Sequence, residues 1–400
     1  VSTNATYKLG ILCTHPIQYY SPLFRYLAKS ETVDLTVYYC HKPSPDEQGV
    51  GFGVPFNWDI DLLSGHNYVW LNNLSKLPLQ GFNGCDTPEI SHIIQREKFD
   101  AFLVLGWHTR SMWQAMSACW KNNTPLFVRG DSHLHIQMPL LKRIVKEATH
   151  RYFIPRFTAC LAVGKWSREY FEHYGARKIL SSPHFVDNDW FVTNAERYKL
   201  GLNQIRREWK IPEDVTVFLF AGKFESKKRP LDLLLALKKM IEKGVEKRSI
   251  FVLMAGDGKL KAKCEEFVNR YQLPVLFTGF LNQTEMPKVY SVVNVLVLLS
   301  DGRETWGLVV NEAMACGVPA IVSDKTGCHP DLIKEGETGF TFPCGHVDFL
   351  ANRMHKIAEK SIAARMGKAA QKHVAAYSVD VAARGILEAI DLVSDRHAKT

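Results

Sequence analysis

Short apolar runs that break off into glycine or polar residues, each followed by helical spacing, constrain this chain more than any other feature. Lys8–Cys13 (KLGILC) ends at Thr14-His15-Pro16, and over Ile17–Lys29 the apolar positions Leu23, Phe24 and Leu27 recur at helical spacing. Val33–Tyr39 reads as a second strand, so the chain opens with the strand–helix–strand unit that builds parallel sheets. The pattern returns at Asp100–Leu105 (DAFLVL), Pro125–Val128, Ala159–Val163 and Ile179–Ser181. It returns again at Val215–Ala221 (VTVFLFA), Ser249–Ala255, Val275–Thr278, Val295–Leu299 and Ala320–Ser323. Helices are expected between these runs, for instance Arg110–Lys121, Asn194–Lys210 and Leu231–Lys243, with Asp380–Val393 the last. Ligands of parallel sheets bind beyond the carboxyl ends of the strands, so functional side chains are expected in the turns that follow.

Composition bounds what such a chain does. Four hundred residues at 46% hydrophobic content suit two globular domains, each with its own core. The sequence has no long uncharged apolar run and no basic, apolar, cleavable pattern at its start, which predicts an intracellular, cytoplasmic protein. Nine cysteines, without C-x-x-C spacing and mostly inside apolar runs, read as reduced core residues. The formal charge of +9 suits an anionic partner. Nucleic acid is the weakest candidate, because the basic residues are scattered and no recognition module stands out.

The densest chemistry lies in Asp301–Gly339. Glu304 and Glu312 stand eight residues apart across a loop that runs into a short helix. Gly302 and Gly307 loosen the backbone, Leu308, Val309, Ala313 and Met314 recur at helical spacing, and Cys316-Gly317 with Pro319 closes the helix. A helix amino end leaving a glycine-containing loop suits a diphosphate, and a carboxylate on that helix can accept both hydroxyls of a ribose.

Glu304 to Glu312, followed by Ala-Met-Ala-Cys-Gly-Val-Pro and then by Glu335–Gly339, resembles the E-x7-E signature of retaining glycosyltransferases of family four. Gly222-Lys223 with Lys228, after the strand Val215–Ala221, is similar to the family's G-R-x-x-x-x-K phosphate clamp, with lysine in the arginine place. The resemblance implies an α/β chain of GT-B fold, two Rossmann-like domains with parallel sheets facing across a cleft. It places the acceptor side in residues 1–190, nucleotide-sugar donor binding in 191–377, and in 378–400 a helix crossing back to the first domain. The implied reaction moves a sugar from a nucleoside diphosphate donor, a UDP- or GDP-sugar, to a sugar or lipid-linked acceptor. It proceeds with retention and without a metal or other cofactor, in cell-surface glycan or glycolipid synthesis.

Site residues follow from the same matches. Lys223 and Lys228 hold the diphosphate, Gly222, Trp306, Gly307 and Leu308 complete the donor site, and Glu312 takes the ribose. Glu304 contacts the donor sugar. Relatives often carry a histidine at the ends of two first-domain strands, close to the reacting sugar; His108 fits the first and the second offers Asp131 with His133 nearby, so the resemblance makes Glu304, His108 and Asp131 the catalytic candidates. His15 and Gln18 lie in the loop after the first strand, at the cleft edge. That loop, Thr-His-Pro-Ile-Gln-Tyr-Tyr, lacks the glycines usual in the family.

Other stretches carry expectations of their own. Ser44–Asn57 reads as a long loop in the place of an acceptor-recognising loop. The D-x-D triplets Asp59–Asp61 and Asp187–Asp189 are discounted as metal motifs, since neither terminates an apolar strand. Pro139–Phe153 is a basic amphipathic helix; the preferred reading turns its apolar side to the core, and the alternative lays it on the anionic inner face of a membrane. A nucleotide-sugar epimerase or hydrolase, or an inactive binding protein on the same fold, are the rival functions. Intact Glu304, Glu312, Lys223 and Lys228 argue against the inactive form.

Overall fold

In the computed structural model, which describes residues 6–136 and 138–397, the apolar runs form two all-parallel sheets. The first holds β1 (Tyr7–Cys13), β2 (Val33–Tyr39), β3 (Asn67–Trp70), β4 (Ala101–Val104), β5 (Leu126–Gly130), β6 (Ala159–Ala162) and β7 (Ile179–Ser181) in the order β3-β2-β1-β4-β5-β6-β7. The second holds β8 (Thr216–Ala221), β9 (Ile250–Ala255), β10 (Val275–Gly279), β11 (Val295–Leu298), β12 (Ala320–Ser323) and β13 (Gly339–Phe342) in the order β10-β9-β8-β11-β12-β13. Every residue of β4, β8, β9 and β11 is buried. Helices cover both faces of such strands, which is why their sequences run apolar without alternation.

Both orders reverse direction once. The chain moves outward from β1 to β2 and β3, then returns to place β4 on the other side of β1; it repeats this with β8 and β11. At such a reversal the turns after the two neighbouring strands diverge and leave a crevice. Each sheet therefore owns one crevice, after β1 and β4 in the first and after β8 and β11 in the second.

The chain divides into two compact units: among the described residues, one holds 6–47, 60–184 and 379–397, the other Gln48–Asp59 and Phe185–Ser378. The expected limit at residue 190 moves to 184, because Asp187 already caps the helix Asn188–Lys199 of the second unit by accepting from Trp190 N at 3.0 Å. The last helix, Val379–His397, lies in the first unit, where Ala382 O accepts from Ser182 Oγ at 2.9 Å. Residues 1–5 and 398–400 of the expected limits lie outside the described residues.

Three local expectations are corrected. Asn194–Lys210 is two helices, Asn188–Lys199 and Leu202–Glu208, divided at Gly201. The expected loop Ser44–Asn57 contains the short helix Pro45–Gly49, and from Gln48 to Asp59 the chain leaves the first unit and packs in the second. In the helix Leu140–Phe153 only Phe153 is buried, while Leu140, Leu141, Ile144 and Val145 are 55–72% exposed, so the apolar side does not face a core. No helix among the described residues is long and apolar enough to cross a membrane.

Candidate functional site

In the second unit, the crevice after β8 and β11 brings together the two motifs that lie more than seventy residues apart in sequence. β8 ends at Ala221, and the positive φ of Gly222 just beyond it allows the turn that carries Lys223 and Lys228 past the sheet edge. Gly256, at φ +127 after β9, makes room for it, since a Cβ there would lie 2.0 Å from Gly222 O. The stem of Lys228 runs over Gly222, and its ammonium forms an ion pair with Glu304 in which both side chains are largely buried. Ser300 Oγ, just past β11, donates to the same Glu304 carboxylate at 3.2 Å. The pair is a preformed exchange point: an incoming phosphate can take the ammonium, and a sugar hydroxyl can take the carboxylate.

Lys223 is held differently. Its Nζ donates to Val50 O at 2.7 Å and lies 4.6 Å from the centre of the Phe52 ring. Burial holds its pKa below that of an ordinary lysine, opposed by Glu225 and reinforced by Lys227 and Lys228. Arg229, with φ +49, turns away and pairs with Asp232 at 2.6 Å, and Lys227 pairs with Glu225 at 3.3 Å. The chain thus commits the two flanking cations to structural pairs and leaves Lys223 and Lys228 at the crevice.

Glu312 lies on the helix Val309–Ala315, is 3% exposed, and accepts from Tyr290 OH at 2.6 Å. Gly307, at φ +99, precedes that helix under Leu298, and Leu308 is its N-cap. Trp306, expected in the donor site, turns its side chain inward. Its ring is 4% exposed and Nε1 donates to Asn311 Oδ1 at 2.8 Å, so the side chain is committed to the core. Its carbonyl accepts from Cys328 N at 3.1 Å and ties the motif loop to Thr326–Cys328.

In the first unit, the crevice after β1 and β4 is a cavity of about 430 Å³ lined by His15, His108, Asp131, Arg129, Ser132 and His184 among others. His15, His108 and Asp131, distant in sequence, are therefore brought together. Gln18 is not on the lining, since the chain turns into the helix Tyr20–Ala28 just beyond it. His133 is fully buried, its ring tilted against Trp166 at 5.1 Å between centres, and Nδ1 accepts from His135 N at 3.3 Å. Burial lowers the pKa of His15 to about 4, with help from His41 and His108. Burial also lowers His108, against the pull of Asp131, and lowers His184 strongly. These rings are neutral at pH 7 and offer hydroxyl groups both a donor and an acceptor.

Arg129, Tyr20, Ser132 and His184 were not singled out from the sequence. Arg129 is 2% exposed; its guanidinium donates to Ser182 O at 3.2 Å and Pro183 O at 2.8 Å and lies 5.8 Å from the Tyr20 ring centre. A charge ending the apolar run Leu126–Val128 is the signal that could have found it. Tyr290 as the partner of Glu312 left no such trace. The discounted aspartates have structural partners: Asp59 accepts from Thr284 N at 3.2 Å and Asp61 from Leu63 N at 2.9 Å, while Asp187 is the helix cap already described.

Residues 203–373 match the family model described as glycosyl transferases group 1. N-acetyl-alpha-D-glucosaminyl L-malate synthase of Bacillus anthracis is 27% identical over 180 residues, 44% of this chain and 45% of the relative. Sulfoquinovosyl transferase of Arabidopsis thaliana is 36% identical over 124 residues, 30% of this chain and 23% of the relative. The chain thus spans less than half the length of these curated relatives. Among solved structures, a glycosyltransferase from Rickettsia africae covers 97% of this chain and 98% of its own, with TM-score 0.73 and 17% identity. Anabaena HepE, solved with UDP and glucose, covers 96% of this chain and 99% of its own, with TM-score 0.67 and 16% identity. Residues 203–373 are thus similar to the group 1 glycosyltransferases, and the whole chain has the α/β GT-B fold of two Rossmann-like domains.

Proposed function

We propose that the protein is a glycosyltransferase that moves a sugar, with retention and without a metal, from a UDP- or GDP-sugar to an acceptor held by the first unit. The observation that carries this reading is the Lys228–Glu304 pair seated over Gly222. In the reaction, the bond from the anomeric carbon to the β-phosphate oxygen breaks and the acceptor oxygen bonds to that carbon on the same face. The acceptor proton passes to the departing phosphate. Lys228 and Lys223 balance the charge that develops on that phosphate. Glu304 orients the sugar, and Glu312, fixed by Tyr290, takes the ribose hydroxyls. His108 and Asp131, with His15 beside them, bind the acceptor.

Release of UDP or GDP from the matching sugar nucleotides, with and without candidate acceptors, tests this. Glu312→Gln should remove turnover in a protein that melts like the parent, and near-normal turnover would overturn the site. Nucleotide release that needs no acceptor would point instead to a hydrolase, and a changed sugar on intact donor to an epimerase.

The acceptor in this reading is lipid-linked, for cell-surface glycan or glycolipid synthesis at the cytoplasmic face of a membrane. Exposed Leu140, Leu141, Ile144 and Val145, interleaved with exposed Lys142 and Arg143, match a surface that is apolar below and anionic above. Flotation with anionic vesicles at low salt should carry the protein upward, and Leu141→Glu with Ile144→Glu should abolish this. A parent protein that stays at the bottom would remove the membrane from the proposal.

A further inference from the structure

The segment Gln48–Asp59 is drawn from the sequence of the first unit yet built into the second. Its carboxyl half is anchored firmly. Asn57 O accepts from Asn282 Nδ2 at 2.7 Å, and Asp59 accepts from Thr284 N at 3.2 Å and from the Thr284 hydroxyl. In the middle, Phe56 lies 4.4 Å and Phe52 5.0 Å from the Phe280 ring, centre to centre.

The amino half ends on the phosphate clamp. Gly258 lets Gly51 approach, since a Cβ on Gly258 would lie 3.1 Å from Gly51 O. Gly51 itself, at φ +87, lies against the Lys223 side chain, where a Cβ would come 3.0 Å from Nζ. The next residues on either side supply the carbonyl of Val50, 2.7 Å from Nζ, and the ring of Phe52, centred 4.6 Å away.

We propose that Gln48–Asp59 is a self-ligand of the phosphate clamp: Val50 and Phe52 occupy the Lys223 ammonium until a nucleoside diphosphate displaces them, while Asp59 and Asn57 keep the segment tethered. This rests on the reading of Lys223 and Lys228 as the diphosphate site. A carbonyl and a ring face carry no net charge, whereas a diphosphate does, so it adds an ion–ion attraction to the hydrogen bond that the ammonium makes. The donor therefore wins the ammonium, at the cost of the contacts it breaks. Tethering only one half makes the displacement local and reversible.

The test compares binding of UDP and of GDP to the full chain by calorimetry. Phe52→Ala removes one competitor for the ammonium, and Asp59→Ala loosens the tether without touching Lys223. Both should bind the nucleotide more tightly than the parent, Phe52→Ala by about two- to fivefold, the range expected from losing one exposed cation–ring contact. Chymotrypsin should cut the parent at Phe52 or Phe56 faster when the nucleotide is present. Weaker or unchanged binding in both variants, or protection of the segment by nucleotide, overturns the proposal and makes the segment a fixed wall of the site. If the parent binds neither UDP nor GDP, the donor-site reading itself falls, a result distinct from failure of the self-ligand.

Discussion

The two crevices share a topology and differ in chemistry. Each opens where its sheet reverses direction, after β1 and β4 in one unit and after β8 and β11 in the other. The first is lined by rings that burial keeps neutral, with a guanidinium bound to backbone carbonyls. The second holds ammonium groups paired with a carboxylate for Lys228 and with a carbonyl and a ring for Lys223. Topology determines where a site can form; the residues in the turns decide its chemistry.

The largest effect that would break this contrast is at Lys228. Lys228→Ala should lower turnover by about 10²–10³-fold, as removing one aligned charge-stabilising donor typically does, with thermal melting near that of the parent. Turnover within tenfold of the parent would mean that the second crevice is not a phosphate site. In the first crevice the corresponding change is structural. Arg129→Met leaves the Ser182 and Pro183 carbonyls without their donor and should cost about 3 kcal/mol in urea unfolding. An unchanged midpoint would show that the guanidinium is there for a ligand alone.

A backbone change sharpens the comparison. Gly256→Ala adds a methyl 2.0 Å from Gly222 O in a conformation that side chains rarely adopt. It should cost about 1–3 kcal/mol and weaken nucleotide binding as well, because the displaced turn carries both lysines. Binding and stability measured on the same sample separate the two effects.

The smallest effect concerns pH and belongs to the first crevice. An ordinary histidine takes up a proton near 6.5, whereas folded His15 does so only near about 4, and His108 and His184 are displaced in the same direction. Between those values the unfolded chain binds more protons than the folded one, so stability rises with pH. The melting temperature should be highest above about pH 6.5 and fall as the solution is acidified towards pH 4. His15→Asn should flatten part of that slope, and an identical slope would place the proton uptake elsewhere.

Much of this was legible in the chain. The uninterrupted apolar runs Ala101–Val104 and Thr216–Ala221 could only be buried parallel strands, and the glycines that follow them marked the turns. Glu304, Glu312, Lys223 and Lys228 carried their spacing openly because each sits a fixed number of residues past a strand end. The direction of the Trp306 ring was not legible, because adjacency to a motif does not say which way a ring points; its hydrogen bond to Asn311 faces inward. The helix Leu140–Phe153 was misjudged because periodicity reports that a helix has an apolar side and not what covers it.

By itself, then, the sequence determined most of the strands and the motif residues at their ends, since these depend on local burial and spacing; the strand Asn67–Trp70, without a buried residue, left no such pattern, and the grouping into two sheets was implied by the resemblance. Only the tertiary structure decided which side chains meet. Arg129 against Ser182 and Pro183, Tyr290 on Glu312, and Val50 on Lys223 join residues 22 to 173 positions apart. No local pattern encodes such pairs, because each partner is selected by the path of the backbone between them and by which polar atoms burial leaves in need of a bond.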